Sequence, residues 1–394
     1  MPFYHKLGKF PQKRHVQFRQ PDGSLYKEQV IGTEGFSGIS SILYHINPPT
    51  KVKKYEGAFP LNFPLEQWEE KTLRHFHLHT IDAKAEGDPI SGRKVMMYNN
   101  DVSMAICNPS KQTDYFYKNA EADEVIFIHY GEGTLDSQYG SLDYHDGDYI
   151  VIPRGVIYKI TTSSSKSKML VIESTSQVYI PKRFRNQSGQ LLEHSPFCER
   201  DFRLPEKLLT VDEKGEFLVK IKKWNMMHHY IFDYHPLDVV GWDGYFYPWI
   251  FNINDFMPIT GKIHQPPPVH QTFEGNNFVI CSFCPRLFDY HPDAIPAPYN
   301  HSNIDSDEVL YYVKGNFMSR KGVDIASFTL HPGGIPHGPH PGTAEASIGK
   351  KETLELAVMV DTFHPLKLTT LAKEYDLPNY PYTWNEEGHE AEIE

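Results

Sequence analysis

Apolar residues gather along the chain in short runs of four to six: Val125 to His129 (VIFIH), Tyr149 to Ile152 (YIVI), Met169 to Glu173 (MLVIE), Phe278 to Phe283 (FVICSF), Val309 to Val313 (VLYYV) and Leu356 to Val360 (LAVMV). Clusters of Gly, Pro, Asn and Asp separate them, the pattern of short strands joined by tight turns. The spacing predicts a mainly antiparallel β sandwich or barrel. Two segments read as helices instead, Leu65 to Phe76 (LEQWEEKTLRHF) and Leu366 to Tyr375. Neither contains Gly or Pro, and both mix apolar with charged positions at helical spacing, so they are predicted to decorate a β core. The stretch from Gly261 to Gly275 (GKIHQPPPVHQTFEG) cannot be a central strand, because three successive prolines remove three backbone donors. It is predicted to be an ordered loop or a polyproline segment. The tail from Tyr382, which closes in EEGHEAEIE, is predicted to be mobile.

Length and charge narrow the function classes. At roughly 150 residues per domain, 394 residues suggest two or three domains. Hydrophobic residues at 40% and charged ones at 23% fit a folded globular chain. Lys and Arg number 39 against 50 Asp and Glu, and the net charge of −11 disfavours nucleic acid and anionic membrane surfaces as partners. No stretch approaches the ~20 apolar residues of a membrane span, and the first ten residues (MPFYHKLGKF) hold no apolar export segment. Four scattered cysteines are too few to frame the chain with disulfides, so reduced thiols and a cytoplasmic location are expected. The 21 histidines suit imidazole chemistry without locating it.

Comparing the chain with itself locates it. Residues 117–131 read YKNAEADEVIFIHYG and residues 301–315 read HSNIDSDEVLYYVKG. Downstream of each copy comes a second matching segment, PRGVIY at 153–158 and PGGIPH at 332–337. Two equivalent lobes are the economical reading. The copies differ in their chemistry: Tyr117, Glu124 and Tyr158 in the first stand where the second has His301, Glu308 and His337. Two imidazoles and one carboxylate make the facial triad of non-heme Fe(II) oxygenases, whereas two phenols and a carboxylate suit a transition metal poorly. One lobe is therefore expected to hold metal and the other to be structural. Asp305 and Asp307 are turn residues that compete with Glu308 as ligand, and the glycine spacing favours Glu308.

These spacings resemble the two cupin motifs, the first running from His301 through Asn303 and Glu308 to Gly315, the second from Pro332 through Gly334 to His337. More narrowly, YNHSN (Tyr299 to Asn303), LHPGGIPHGP (Leu330 to Pro339), EQVIG (Glu28 to Gly32) and the HQPPPVHQTF loop are similar to homogentisate 1,2-dioxygenases, particularly a short bacterial branch. The resemblance implies a mainly β bicupin of two double-stranded β-helix lobes with a few peripheral helices. A metal-free lobe would span residues 1–200 and a metal-binding lobe residues 201–394. It implies Fe(II) held by His301, Glu308 and His337, His264 as catalytic base, and His331 together with His337 at the substrate. His270 competes with His264 for the role of base. The implied reaction opens homogentisate with dioxygen to 4-maleylacetoacetate in tyrosine and phenylalanine catabolism. The implied partners are a small aromatic substrate, dioxygen and further copies of the chain, a hexamer by resemblance.

Phe317 departs from the family pattern, which commonly has Tyr there, and keeps gentisate or another hydroquinone open as substrate. A non-catalytic bicupin that binds a small molecule is the alternative of another class. Cys281 and Cys284 invite a zinc or redox reading but lie in a β-like run, so buried strand cysteines are expected. His270, His291 and His340 read as groups that support the ligands from outside or as surface residues, surface being favoured. Arg286 could pair with a substrate carboxylate or with an acidic neighbour.

Overall fold

A computed structural model describes residues 3–61, 73–315, 317 and 322–385. Strands dominate it, and among the described residues Thr343–Ser347 is the one α-helix. Two large sheets form the first lobe. One, of seven strands, includes Phe116–Asn119, Ile157–Thr162 and Lys214–Lys223; the other, of eight, is centred on Asp123–Tyr130 between Asp148–Ile152 and Lys168–Ser174. The second lobe is built on a six-stranded sheet in which Asp307–Lys314 lies between Leu356–Thr362 and Phe328–His331.

The repeat in the sequence is a repeat in the hydrogen bonding. Asp307 accepts from the backbone N–H of Gly333 and of Leu366, both at 2.7 Å. At the equivalent place Asp123 accepts from the N–H of Arg154 and of Val178, both at 3.1 Å. Gly334 donates to the carbonyl of Asn303 and Gly155 to that of Asn119, each at 2.7 Å. Both glycines have left-handed φ, +87° and +85°, a conformation that costs glycine no Cβ clash. Thus Asp, Asn and Gly recur in the two copies because each clamps the first motif to the second.

The lobes do not divide at residue 200. Phe202–Arg203, Lys214–Lys223, Met226–Tyr234 and Trp249–Asn252 all pair within the two first-lobe sheets, so sheet membership carries that lobe to Asn252. The lobes also exchange edge strands: Phe76–Leu78 pairs with Phe328–His331, and Lys367–Leu368 pairs with Arg93–Tyr98. A buried seam joins them, with Tyr149 Oη 2.9 Å from Ser282 Oγ and His129 Nδ1 2.8 Å from Tyr311 Oη.

Neither predicted helix is present in the described residues. Residues 62–72 of the chain, and with them most of Leu65 to Phe76, lie outside those residues, while Phe76 begins a strand. The segment from Leu366 to Tyr375 is a short strand followed by a 3-10 turn at Ala372–Tyr375. Asp307 takes the N–H of Leu366, and the Thr369 hydroxyl donates to the Val95 carbonyl at 2.8 Å, so tertiary partners hold the segment extended against its helical spacing. The proline-rich stretch is a 3-10 turn at Pro267–His270 leading into Gln271–Gly275, an edge strand. The start of the tail is not free: Tyr380–Trp384 forms a packed turn, whereas residues 386–394 lie outside the description.

Candidate metal centre

Alternation along Asp307–Lys314 puts Glu308, Leu310 and Tyr312 on one face. In register, Glu308 stands opposite His331 on one neighbouring strand and Asp361 on the other. His301 and His337 lie off the regular strands and meet as an isolated antiparallel bridge, exchanging backbone hydrogen bonds of 2.8 and 2.9 Å. That bridge brings the two rings to 4.2 Å between centroids.

His301 Nδ1 lies 3.2 Å from the Tyr299 carbonyl, which can only accept, so Nδ1 carries a proton and Nε2 is the nitrogen turned toward Glu308. This Nε2 is 3.6 Å from Glu308 Oε2, and His337 Nε2 is 3.4 Å from Oε1. One ligand atom from each of the three residues falls within 4.8 Å of the other two. His337 is 3% exposed, yet its Nδ1 has no hydrogen-bond partner, and its Nε2 has only the 3.4 Å approach to Glu308. A buried polar atom left unpaired costs about 1–3 kcal/mol, and an ion among these side chains would answer it. The donor set of two imidazoles and one carboxylate suits such an ion. Burial pushes the Glu308 carboxyl up, and the imidazoles of His301, His331 and His337 more than offset that, holding it well below the usual carboxylate range.

The first lobe repeats this scaffold with a different set of side chains. Tyr117 and Tyr158 pair in register as the two histidines do. Tyr158 donates to Glu124 at 2.7 Å, and the Arg93 guanidinium bonds Glu124, Glu173 at 3.1 Å and the Tyr158 hydroxyl at 3.3 Å. Burial opposes the charge on Arg93, but Glu124 with the surrounding tyrosines and Glu173 outweighs it. An arginine side chain thus pairs with Glu124, the carboxylate that corresponds to Glu308. A cavity of about 1020 Å³ lies beside this cluster, bordered by Arg93, Tyr117, Glu173 and Lys222. Arg93 and Lys222 both pair with Glu173.

Residues 39–253 match the family model described as homogentisate 1,2-dioxygenase N-terminal. The chain belongs to the homogentisate 1,2-dioxygenase family. A protein of Saccharolobus solfataricus whose own name assigns dioxygenase activity only provisionally is 43% identical over 98% of this chain and 99% of its own. The homogentisate 1,2-dioxygenase of Legionella pneumophila strain Corby is 27% identical over 90% of this chain and 85% of its own. That of Rhizobium meliloti is 27% identical over 68% of this chain and 61% of its own. Among solved structures, a cupin 2 conserved barrel domain protein from Leptotrichia buccalis is a distant likeness, with a TM-score of 0.34 and 10% identity over 74% of this chain and 98% of that one.

The other residues that the family resemblance singled out fall in different places. His264 is half exposed, its Nδ1 3.3 Å from Asp289 and its ring 5.3 Å from Tyr299, whose carbonyl orients His301. Asp289 also accepts from the N–H of Gln265 at 2.9 Å and so holds the loop that carries His264. His270 is buried against the Phe283 ring at 4.5 Å. Burial, with Arg286 nearby, pushes its pKa down to about 3, which makes it a poor proton acceptor at neutral pH. His331 was expected at the substrate. It is fully buried, with Nδ1 2.9 Å from Glu308 Oε1 and its ring stacked on His337 at 4.6 Å.

Asp307 is spent on its two backbone amides and Asp305 is exposed, which leaves Glu308 as the carboxylate of the triad. Arg286 pairs with Glu355 at 3.3 Å. Cys281 and Cys284 are buried free thiols. Phe317 packs on Tyr312 with ring centroids 4.5 Å apart. His291 is exposed, but His340 is buried, stacked on Trp384 at 4.3 Å and bonded to Thr383 at 2.7 Å. Sequence reasoning missed Arg93, Asp289 and Asp361. Only Asp361 left a trace, since MLVIES and LAVMVDT both end an apolar run on an acidic residue followed by Ser or Thr.

Among the described residues no helix is long and apolar enough to cross a membrane.

Proposed function

We propose that the second lobe is the active centre of an Fe(II)-dependent dioxygenase that opens the ring of homogentisate to 4-maleylacetoacetate. The observation that carries this reading is the convergence of His301, Glu308 and His337, with a buried, unpartnered Nδ1 on His337, in a chain of the homogentisate 1,2-dioxygenase family. Iron held by these three side chains would leave open positions for a phenolate and dioxygen and would supply the redox chemistry of ring cleavage.

The protein's own groups orient and move protons. The Tyr299 carbonyl orients the ring of His301, and His331 holds Glu308 through Nδ1. His264, at the rim with Nδ1 toward Asp289, has Nε2 on the other side of its ring to take the phenol proton. The Asp289 carboxylate would stabilise the imidazolium that forms. His264→Ala should therefore keep its metal while turnover falls by about 10²–10⁴-fold; an unchanged rate would remove His264 from the reaction.

A second reading keeps the metal and changes the substrate. Phe317 carries no hydroxyl for a substrate carboxylate and is buried against Tyr312, and Arg286 is paired with Glu355, so neither of these two residues singles out homogentisate. Oxygen uptake with homogentisate, gentisate and unsubstituted hydroquinone separates the two. Homogentisate should be turned over fastest; turnover of gentisate alone would move the assignment to that substrate. Association with further copies of the chain is part of the proposal and is tested by sedimentation.

A further inference from the structure

The cavity of the first lobe lies between residues of its two sheets and is bordered by a row of polar groups that the fold leaves unused. Lys220 is in register with Tyr117 on one neighbouring strand and with His229 on the other. Adjacent strands run about 4.8 Å apart, so the three side chains start close enough to converge on one small group. All three border the cavity of about 1020 Å³, which lies at the upper end of the range of about 300–1,000 Å³ for small-molecule sites. Tyr117 is 1% exposed, yet its hydroxyl makes no hydrogen bond among the described residues. The Lys220 ammonium lies 3.6 Å from the centroid of the Tyr115 ring and has no carboxylate partner among those residues. His229 packs on the Phe59 ring at 4.4 Å, and its nitrogens bond to none of them either.

The other charges at the cavity have partners or face solvent. Arg93 and Lys222 answer Glu124 and Glu173, Lys94 pairs with Glu86 at 3.5 Å, and Glu121 accepts the backbone N–H of Trp224. Asp82, Lys84 and Glu374 are exposed. Lys220 is thus the cation left over, and the walls around it include Val95, Val171, Met227 and the Tyr115 ring. We propose that this cavity is a second ligand site, which takes a small organic acid with an apolar body. The carboxylate sits on Lys220 and receives further hydrogen bonds from the Tyr117 hydroxyl and the His229 ring, and the body lies against the apolar walls. A carboxylate is the group that such donors suit, since it only accepts, and its bonds to a cation are the strong ones. The inference does not depend on a metal in the second lobe.

The test is binding of 4-fluorobenzoate to the full-length protein, followed by fluorine NMR, with 4-fluorobenzamide as an uncharged probe of the same shape. The benzoate should bind saturably, and the benzamide about tenfold or more weaker. Lys220→Met should weaken benzoate binding by about 10–100-fold, the loss of one hydrogen bond to a charged group. Lys220→Arg, which keeps the charge, should retain most of the affinity. Tyr117→Phe keeps the ring and should cost about tenfold. His337→Ala, in the other lobe, should leave the benzoate affinity as it is. Absence of saturable binding in the wild type would overturn the proposal, as would equal binding of the two probes. Binding that survives Lys220→Met but is lost in His337→Ala would place the probe in the second lobe and overturn it too.

Discussion

Glu308 works as a ligand candidate because its neighbours leave it no other occupation. Its oxygens face three imidazoles, and the adjacent Asp307 takes the amides that a free carboxylate would otherwise bind. Replacing His337 by Ala should abolish stoichiometric iron, read by metal analysis of anaerobically prepared protein, while the fold persists. Arg93 offers the converse test. Its removal leaves Glu124 and Glu173 buried with one cation fewer, and breaking a buried pair in this way costs about 3–5 kcal/mol. Arg93→Met should lower unfolding free energy by that amount in urea titration without changing metal content. A neutral effect would mean that the first-lobe carboxylates are compensated by other groups.

At the level of elements, the clamp between the two cupin motifs does the positioning. Asp307→Ala removes two backbone hydrogen bonds to a carboxylate, each worth about 1.5–3 kcal/mol, and should both destabilise the protein and weaken metal binding. Asp123→Ala breaks the same clamp in the first lobe and should destabilise it while leaving metal affinity intact. Thermal melting paired with metal titration distinguishes the two. This clamp explains what the sequence made readable. The repeated Asn, Asp and Gly are local and recur at fixed spacing, so the duplication and its triad could be found by comparing the chain with itself. Arg93 and Lys222 reach their carboxylates from strands far away in the chain, and nothing local marks them. The predicted helix from Leu366 to Tyr375 failed for the same reason, since its spacing was helical but its partners, Asp307 and the Val95 carbonyl, lie elsewhere. His340 was misplaced at the surface because the turn that covers it, Tyr380–Trp384, lies in a tail with the composition of a mobile end.

Across the whole molecule, histidines locked in the interior set the response to acid. Burial pushes the pKa of His77 and of His129 down to about 4 and that of His270 to about 3, against an ordinary 6.5. Below pH 6.5 the unfolded chain takes up protons that the folded one refuses, so stability should fall progressively as pH drops from 6.5 toward 4. His270→Asn should make that decline shallower in melts across the range; an unaltered slope would mean that His270 is not held neutral. The exchanged strands, Phe76–Leu78 into the second lobe and Lys367–Leu368 into the first, predict that the lobes unfold together. The same duplicated architecture carries the central claim, one cation site per chain, with the metal in the second lobe and a guanidinium in the first. Anomalous scattering at the iron edge, from crystals grown anaerobically with excess Fe(II), tests it most directly. One peak per chain should lie among His301, Glu308 and His337, with none beside Arg93; a peak anywhere else, or an empty triad in iron-replete crystals, would contradict it.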